Sequence, residues 1–211
     1  MEYWDKRFLD EGKIWGDKPS KSAFYAIQLF KKYDIMKILI PGSGYGRNSK
    51  LFSNAKFEVT GIEISKIAVE LARNFDKNTR FFEGSILNMP FSNEIYDAIY
   101  CFNVLHLFLK EDRFILLRKC FNQLKTGGYI FFTVFSEKEK SFGKGKQIEH
   151  NTFESKPGRP THYFSQNDLK KHFADYITID DGIIKEEENH GNLGKHTHIL
   201  RYIFARKENK K

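Results

Sequence analysis

The feature that most constrains the fold is a glycine-rich turn that follows a short apolar run. Ile38-Leu39-Ile40 is typical of a buried strand, and Gly42-Ser43-Gly44-Tyr45-Gly46 comes almost directly after it. Glycine adopts positive φ without steric penalty and lets the backbone approach a ligand closely. Residues 48–53 then have a helical pattern. A turn of this kind between strand and helix predicts a ligand site at the carboxyl edge of an open α/β sheet.

The rest of the chain continues this alternation of strands and helices. Apolar runs predict strands at 37–40, 57–62, 79–83, 96–102 and 129–135, with helices at 65–74 and 111–124 between them. Such alternation predicts a Rossmann-like, doubly wound and mostly parallel sheet with helices on both faces. Two final strands, at 177–185 and 198–205, are joined by a short polar turn and predict an antiparallel pair.

The length of 211 residues suits a single α/β domain. Within it we distinguish an N-terminal helical cap at 1–35 and a core at 36–136 that contains the glycine turn. Residues 137–164 are rich in Lys, Gly, Ser and Glu and predict a mobile loop or lid. Residues 165–211 hold a helix and the last strand pair.

Charge and cysteine content narrow the function classes. The net charge is +8, but the lysines are spread along the chain without five consecutive basic residues, which favours a solvated surface and disfavours nucleic acid without excluding it. Cys101 and Cys120 form no CxxC pair, which disfavours a disulfide framework or structural zinc. No signal-peptide pattern or membrane-length apolar run is present. We therefore expect a cytoplasmic protein without a membrane partner.

Glu63 lies at the end of the second predicted strand, about twenty residues after the turn, where a carboxylate accepts hydrogen bonds from the hydroxyls of an adenosine ribose. The spacing Gly42-x-Gly44-x-Gly46, followed by Arg47, fits the dinucleotide pattern G-x-G-x-x-G less well. No Walker sequence is present. A tight turn beside a surface glutamate that binds nothing is the alternative interpretation.

Residues 38–48 resemble the first motif of class I S-adenosylmethionine-dependent methyltransferases. More narrowly, they resemble the small-molecule branch that includes the thiopurine and tellurite-resistance methyltransferases, with Ser43 at the position of its usual Cys. Three further stretches match in order: 82–86, the adenine-contacting turn, with Ser85 where the family usually has Asp; 96–106, the fourth-strand motif; and 124–128, the turn before the fifth strand. The resemblance covers residues 36–136.

The resemblance implies S-adenosyl-L-methionine as cofactor and S-adenosyl-L-homocysteine as product. The glycines would flank the methionine part, Glu63 would bind the ribose, Ile64 and Ile86 would sandwich the adenine, and Trp15 would close over the sulfonium. The full set of implied cofactor-binding residues is Trp15, Gly42, Gly44, Gly46, Arg47, Glu63, Ile64, Ser85, Ile86 and Asn103.

The implied reaction is an in-line displacement, in which positioning supplies most of the catalysis. The acceptor would be a small molecule: a thiol, a chalcogen oxyanion or a similar nucleophile. A thiol needs no strong base, since its pKa is about 8.5, whereas a hydroxyl does. His106 and His162 are the candidate bases, and Arg159 would suit an anionic acceptor.

Other interpretations stay open at this point. In one, the chain methylates RNA or protein. In another, it binds S-adenosylmethionine as a non-catalytic regulatory subunit. His196 and His198 share a strand face and, with His190, would supply three metal ligands. No cysteine or carboxylate cluster completes that set, so we expect no metal. We expect a monomer or weak dimer.

Overall fold

The computed structural model describes residues 3–90, 95–189 and 194–208, without the side chains of Asn189 and Lys195. The helices are α1 (Tyr3–Glu11), α2 (Lys21–Lys32), α3 (Arg47–Asn54), α4 (Lys66–Phe75), α5 (Lys110–Gln123) and α6 (Gln166–His172), with a 3₁₀ turn at Leu105–Leu107. The strands are β1 (Lys37–Pro41), β2 (Glu58–Glu63), β3 (Arg80–Glu83), β4 (Tyr96–Phe102), β5 (Leu124–Phe135), β6 (Lys146–Glu149), β7 (Thr152–Lys156), β8 (Arg159–His162), β9 (Tyr176–Asn189) and β10 (Lys195–Lys207).

Seven strands form one sheet in the order β3-β2-β1-β4-β5-β10-β9. The first five strands run parallel, and β10 pairs antiparallel with both β5 and β9. The predicted fold class, a mostly parallel Rossmann-like sheet with an antiparallel C-terminal pair, is confirmed. Because the order reverses between β1 and β4, a crevice opens above the carboxyl ends of these strands, where open α/β sheets bind their ligands.

Helices cover both faces of the sheet, because side chains alternate along each strand. Ile38 and Ile40 of β1 pack in one core cluster with Ala26 of α2 and Phe52 of α3. Leu39, between them, packs in the other cluster, which includes side chains of α5 and α6. Serine hydroxyls cap α2 and α4: the Ser20 hydroxyl accepts from the Ala23 N–H, and the Ser65 hydroxyl accepts from the Ala68 N–H.

Residues 137–164 differ from the predicted loop, because β6, β7 and β8 form a separate three-stranded antiparallel sheet. The sequence signal for strands is weak here. Ile148 is the one large apolar side chain in β6, Phe153 is the one in β7, and β8 begins with Arg159 and Pro160. Without alternating apolar residues, composition alone suggests a loop. Whether this small sheet acts as a lid stays a prediction.

The C-terminal strand pair extends beyond its predicted bounds, to Asn189 in β9 and back to Lys195 in β10. The extension is polar and therefore lacks a strand signal, but it brings two carboxylates towards the N-terminal region. Glu186 accepts from the backbone N–H groups of Lys21, at 2.8 Å, and Ser22, at 3.3 Å, at the start of α2. No helix among the described residues is both long enough and apolar enough to span a bilayer.

Candidate active site

The glycine turn after β1 has the backbone conformation that the sequence predicts. Gly42, Gly44 and Gly46 have φ values of 66°, 54° and 87°, in the left-handed region that side chains disfavour. A Cβ atom at Gly42 would overlap Val104 Cγ2 and lie 3.3 Å from Val104 Cγ1. The Gly42 N–H donates to the Ile62 carbonyl at 2.8 Å, which ties the turn to the end of β2.

Glu63 is bonded directly to this turn. Its Oε2 accepts from the Gly44 N–H at 3.0 Å, and its Oε1 accepts from the Ser65 N–H at 3.0 Å. Desolvation raises the pKa of this carboxyl, which is 7% exposed, and the backbone hydrogen bonds from Ser65, Gly44 and Ile64 oppose that rise. The carboxylate at the end of β2 therefore sits beside the glycine turn.

The residues predicted to contact adenine lie in two neighbouring turns, after β2 and β3. The Gly84 N–H donates to the Glu63 carbonyl at 2.9 Å and joins these turns. Ile64 is 42% exposed, whereas Ile86 is buried in the core cluster with Leu39. The Ser85 hydroxyl accepts from the Leu87 N–H at 3.2 Å. Of the predicted sandwich, only Ile64 presents an open apolar surface.

Asn103 stands at the end of β4, on the other side of the crevice. Its φ is 55°, a left-handed conformation that asparagine tolerates better than most residues. Its N–H donates to the Thr133 carbonyl at 3.1 Å, and its Oδ1 accepts from the Thr133 hydroxyl at 3.1 Å. Anchored to β5 in this way, the half-buried Asn103 side chain has a fixed position.

The N-terminal cap packs on the glycine turn. Trp15 stacks on Tyr45, with ring centroids 6.1 Å apart and planes 15° apart. The Tyr45 hydroxyl donates to the Gly16 carbonyl at 2.7 Å and accepts from the Trp15 N–H at 3.1 Å. Phe8 belongs to the same cluster, and its Cζ would lie 3.9 Å from a Cβ at Gly44. Trp15 therefore lies beside the turn, and its implied position over the sulfonium stays a prediction.

Arg47 occupies a setting that sequence reasoning did not anticipate. Its Nη2 donates to Glu188 Oε1 at 2.5 Å, and its Nη1 donates to the Trp15 carbonyl at 3.4 Å. The guanidinium carbon lies 5.7 Å from the Trp15 ring and 5.4 Å from that of Phe102. The cofactor role implied for Arg47 stays a prediction. Its guanidinium joins α3 to β9 through the buried ion pair with Glu188. It joins α3 to the N-terminal cap through the hydrogen bond to the Trp15 carbonyl.

The sequence that carries this geometry also matches a known family. Residues 39–132, which run from β1 into β5, match the family described as "Methyltransferase domain". The chain therefore contains a methyltransferase domain at residues 39–132.

Solved structures share the fold of this methyltransferase domain. A SAM-dependent methyltransferase from Methanosarcina mazei has a TM-score of 0.73 at 18% identity, over 86% of this chain and 98% of that one. TehB from Haemophilus influenzae has a TM-score of 0.66 at 18% identity, over 88% and 62%. The Burkholderia thailandensis 1,6-didemethyltoxoflavin-N1-methyltransferase has a TM-score of 0.67 at 18% identity, over 98% and 84%. At these identities the likeness is one of fold.

The cofactor of this class of domain is S-adenosyl-L-methionine, and the residues present fit it. The turn presents bare backbone at Gly42, where a Cβ would overlap Val104, and at Gly44, whose N–H donates to the Glu63 carboxylate. The Ser43 Oγ, in the same turn, is buried without a hydrogen-bond partner among the described residues. A buried polar group without a partner indicates a ligand that supplies the missing hydrogen bond.

On the acceptor side of the methyltransferase, neither predicted base is well placed. His106 is 3% exposed and stacks on Phe135 at 4.1 Å; burial lowers its pKa to about 3, so it holds a proton poorly. His162 has both ring nitrogens engaged, Nδ1 with the Thr152 hydroxyl at 2.8 Å and Nε2 with Asp168 at 2.6 Å. Burial also lowers the pKa of His162, although the hydrogen bond that His162 donates to Asp168 opposes this shift. Both features count against the predicted proton-accepting roles.

Arg159 joins the small sheet to the N-terminal cap. Its guanidinium carbon lies 4.5 Å from the Tyr3 ring and 6.0 Å from the Trp4 ring. Burial, chiefly, lowers its pKa, and the charge of Arg7 adds to the effect. No carboxylate among the described residues shifts the pKa of Arg159. A partly desolvated cation between aromatic faces suits an anionic group.

The histidine pair on β10 has carboxylate partners. His198 Nδ1 lies 2.6 Å from Glu139 Oε1, and its Nε2 lies 2.8 Å from His196 Nε2. His190, the third ligand considered from the sequence, lies outside the described residues. Within 3–90, 95–189 and 194–208, no group of three or more His, Cys, Asp or Glu side chains has an arrangement that would hold a metal ion.

Proposed function

We propose that this protein transfers the methyl group of S-adenosyl-L-methionine to a small-molecule acceptor by in-line displacement. The observation that carries the proposal is the hydrogen bond between Glu63 and the Gly44 N–H, with Asn103 fixed at the end of β4. These groups come from β1, β2 and β4, on both sides of the reversal in strand order. A crevice at that point is where this fold class binds its ligands.

In this proposal each part of the cofactor has a partner. The glycine turn, with the Arg47 segment beside it, would bind the methionine part, and Glu63 would accept hydrogen bonds from the ribose hydroxyls. Ile64 and Ser85, with Ile86 behind them, would contact the adenine, and Asn103 would lie beside the amino group. When bound, the cofactor supplies a methyl group on a good leaving group. The protein then mainly orients the acceptor and excludes water.

A small acceptor is supported by what covers the crevice. The N-terminal cap packs on the glycine turn, and Arg159 of the small sheet packs on Tyr3 and Trp4 of α1. This cover leaves little room for a macromolecule, and the desolvated guanidinium favours an acceptor with a negative charge. The toxoflavin methyltransferase of the same fold was solved with 1,6-didemethyltoxoflavin and S-adenosylhomocysteine bound, which is a small-molecule precedent.

Two experiments test this function. Calorimetry should detect S-adenosylmethionine binding, and an absence of binding at millimolar cofactor would refute the proposal. A screen with methyl-labelled cofactor should then place label in a small acceptor among thiols, chalcogen oxyanions, phenols and amines. Label found only in RNA or protein would overturn the small-molecule assignment. Cofactor binding without any product would favour the regulatory alternative.

A further inference from the structure

One carboxylate and two imidazoles form a continuous chain at the edge where β5 ends and β10 begins. Glu139 Oε1 lies 2.6 Å from His198 Nδ1, and His198 Nε2 lies 2.8 Å from His196 Nε2. Glu188 Oε2 approaches the same His198 Nε2 at 3.8 Å from the other side. The Glu139 and Glu188 side chains are 4% and 5% exposed, so both carboxylates act in a poorly solvated setting.

This chain borders the acceptor side of the crevice. The Phe135 ring stacks on His198 at 4.8 Å and on His106 at 4.1 Å. His106 follows β4 closely, just beyond Asn103, and its Nδ1 is buried without a hydrogen-bond partner in the described part of the chain. A buried polar atom without a hydrogen-bond partner is unfavourable. The unpaired nitrogen therefore points to a polar molecule that binds beside Phe135.

The hydrogen bonds set the direction in which a proton can move. A carboxylate only accepts, so Glu139 requires a proton on His198 Nδ1. In a His198 ring that carries only this proton, Nε2 accepts, and His196 is then the donor of the bond between the two rings. A proton that reaches His196 can pass to His198 along this bond. The resulting imidazolium would lie between Glu139 and Glu188, which stabilise the charge.

We propose that the Glu139–His198–His196 chain accepts the proton that the methyl acceptor releases. This inference rests on the proposed methyl transfer and specifies its substrate class. The acceptor carries a proton on its nucleophilic atom at neutral pH, as a phenol hydroxyl or a ring N–H does. As the bond from the acceptor atom to the methyl carbon forms, the methyl–sulfur bond breaks and its electron pair stays on sulfur. The acceptor proton goes to the imidazole pair.

Several other charged groups surround the pair and contribute to its electrostatics. Arg47 of α3 pairs with Glu188 and reduces the negative charge that Glu188 presents. The neutral His106 lies across Phe135. The Ile199 N–H also donates to Glu139 Oε1, at 3.1 Å, and holds this carboxylate in place.

The test compares two acceptors that differ mainly in acidity. A phenol needs deprotonation, whereas the equivalent thiophenol reaches the enzyme largely as thiolate. We expect Glu139→Gln, His198→Asn and His196→Asn to lose about 100-fold or more in kcat with the phenol, in the range of general-base catalysis. The thiophenol rate should change by less than about threefold, Glu139→Asp should restore part of the phenol activity, and the exposed His150→Asn serves as control. Equal losses with both acceptors, or no loss with the phenol, would overturn the proposal.

A second measurement keeps the two proposals separate. Nitrogen-15 NMR of the full chain with S-adenosylhomocysteine bound should place the proton of neutral His198 on Nδ1, and Glu139→Gln should abolish that preference. A proton on His198 Nε2 instead would overturn the relay. If the protein methylates no small molecule in the screen, the proposed function fails, and the tautomer decides on the relay alone.

Discussion

The Gly44 N–H and the Glu63 carboxylate, nineteen positions apart in the chain, are joined by a hydrogen bond of 3.0 Å. The same carboxylate is largely desolvated, which raises its pKa. Its ionised form is therefore less favourable in the folded protein than in the unfolded chain. The ionised, buried carboxylate therefore lowers the stability of the folded protein, and we expect this charge to serve ligand binding.

Glu63→Gln should therefore weaken cofactor binding more than it weakens the fold. We expect the dissociation constant of S-adenosylmethionine to rise about tenfold or more, because the amide accepts from the ribose at only one of its two atoms. In the cofactor-free protein the neutral amide avoids the desolvation of a charge, but its nitrogen cannot accept from the Gly44 or Ser65 N–H, so the free energy of unfolding should change by less than about 1.5 kcal/mol. Calorimetry and urea unfolding measure the two quantities, with Glu70→Gln on the exposed face of α4 as control. An unchanged affinity would show that Glu63 does not contact the cofactor.

The affinity should also depend on pH through the same carboxyl group. Since its folded pKa is raised, cofactor affinity should begin to fall at a higher pH than an ordinary glutamate, of pKa about 4.3, would give. In the Glu63→Gln variant this component should be absent. Calorimetric titrations at a series of pH values test this, and parallel curves for the two proteins would contradict it.

Gly42→Ala should destabilise the protein by overlap with Val104. The added Cβ would overlap Val104 Cγ2 at a φ of 66°, so strain and steric conflict combine, at about 2–4 kcal/mol. Gly158→Ala is the matched control, because it has a φ of 70° with nothing within 4 Å of the new Cβ. That variant should lose only about 1 kcal/mol. Urea unfolding compares them, and equal losses would contradict the overlap.

The buried Arg47–Glu188 ion pair gives a fourth prediction. The side chains are 9% and 5% exposed, so Arg47→Met should cost about 3–5 kcal/mol by removing the closest cation from a buried carboxylate. The double variant Arg47→Met/Glu188→Leu should recover part of that loss. Glu187→Gln, in the exposed pair with Lys21, should change stability by less than about 1 kcal/mol. A double-mutant cycle in urea without coupling would show that the pair contributes nothing.

His106 should make the free energy of unfolding depend on pH below about pH 6.5. Its folded pKa of about 3 lies below the unfolded value of about 6.5, so the unfolded chain binds more protons between them. The contribution of neutral His106 is complete above about pH 6.5 and is lost as pH falls towards 3. His106→Leu should flatten the stability curve in this window. Urea midpoints at pH 4.5, 5.5 and 7 measure it, and identical slopes in both proteins would contradict the low pKa.

The sequence was sufficient for features whose cause is local. The positive φ of Gly42, Gly44 and Gly46 is predictable because few other residues adopt it readily, and Ser65 is a predictable cap because its hydroxyl pairs three residues ahead. The position of Glu63 follows from strand periodicity. These features define the cofactor half of the site.

The acceptor half depends on contacts between distant segments, which leave no local pattern. Glu139, His196 and Glu188 come from a loop and from the polar extensions of β10 and β9, where the strand signal fades. His162 was predicted as a base from its place before a helix. Its engagement with Thr152 depends on a hairpin that the sequence signal did not indicate.

The carboxylate of Glu186, which caps the first turn of α2 across 165 positions, has a consequence for biosynthesis. The ribosome synthesises Lys21 and Ser22 long before β9, so their N–H groups are hydrogen-bonded to water until Glu186 emerges. The start of α2 is bonded to β9 only after the β9–β10 pair has left the exit tunnel. A nascent chain should therefore acquire its ligand-binding form only after β9 and β10 have emerged.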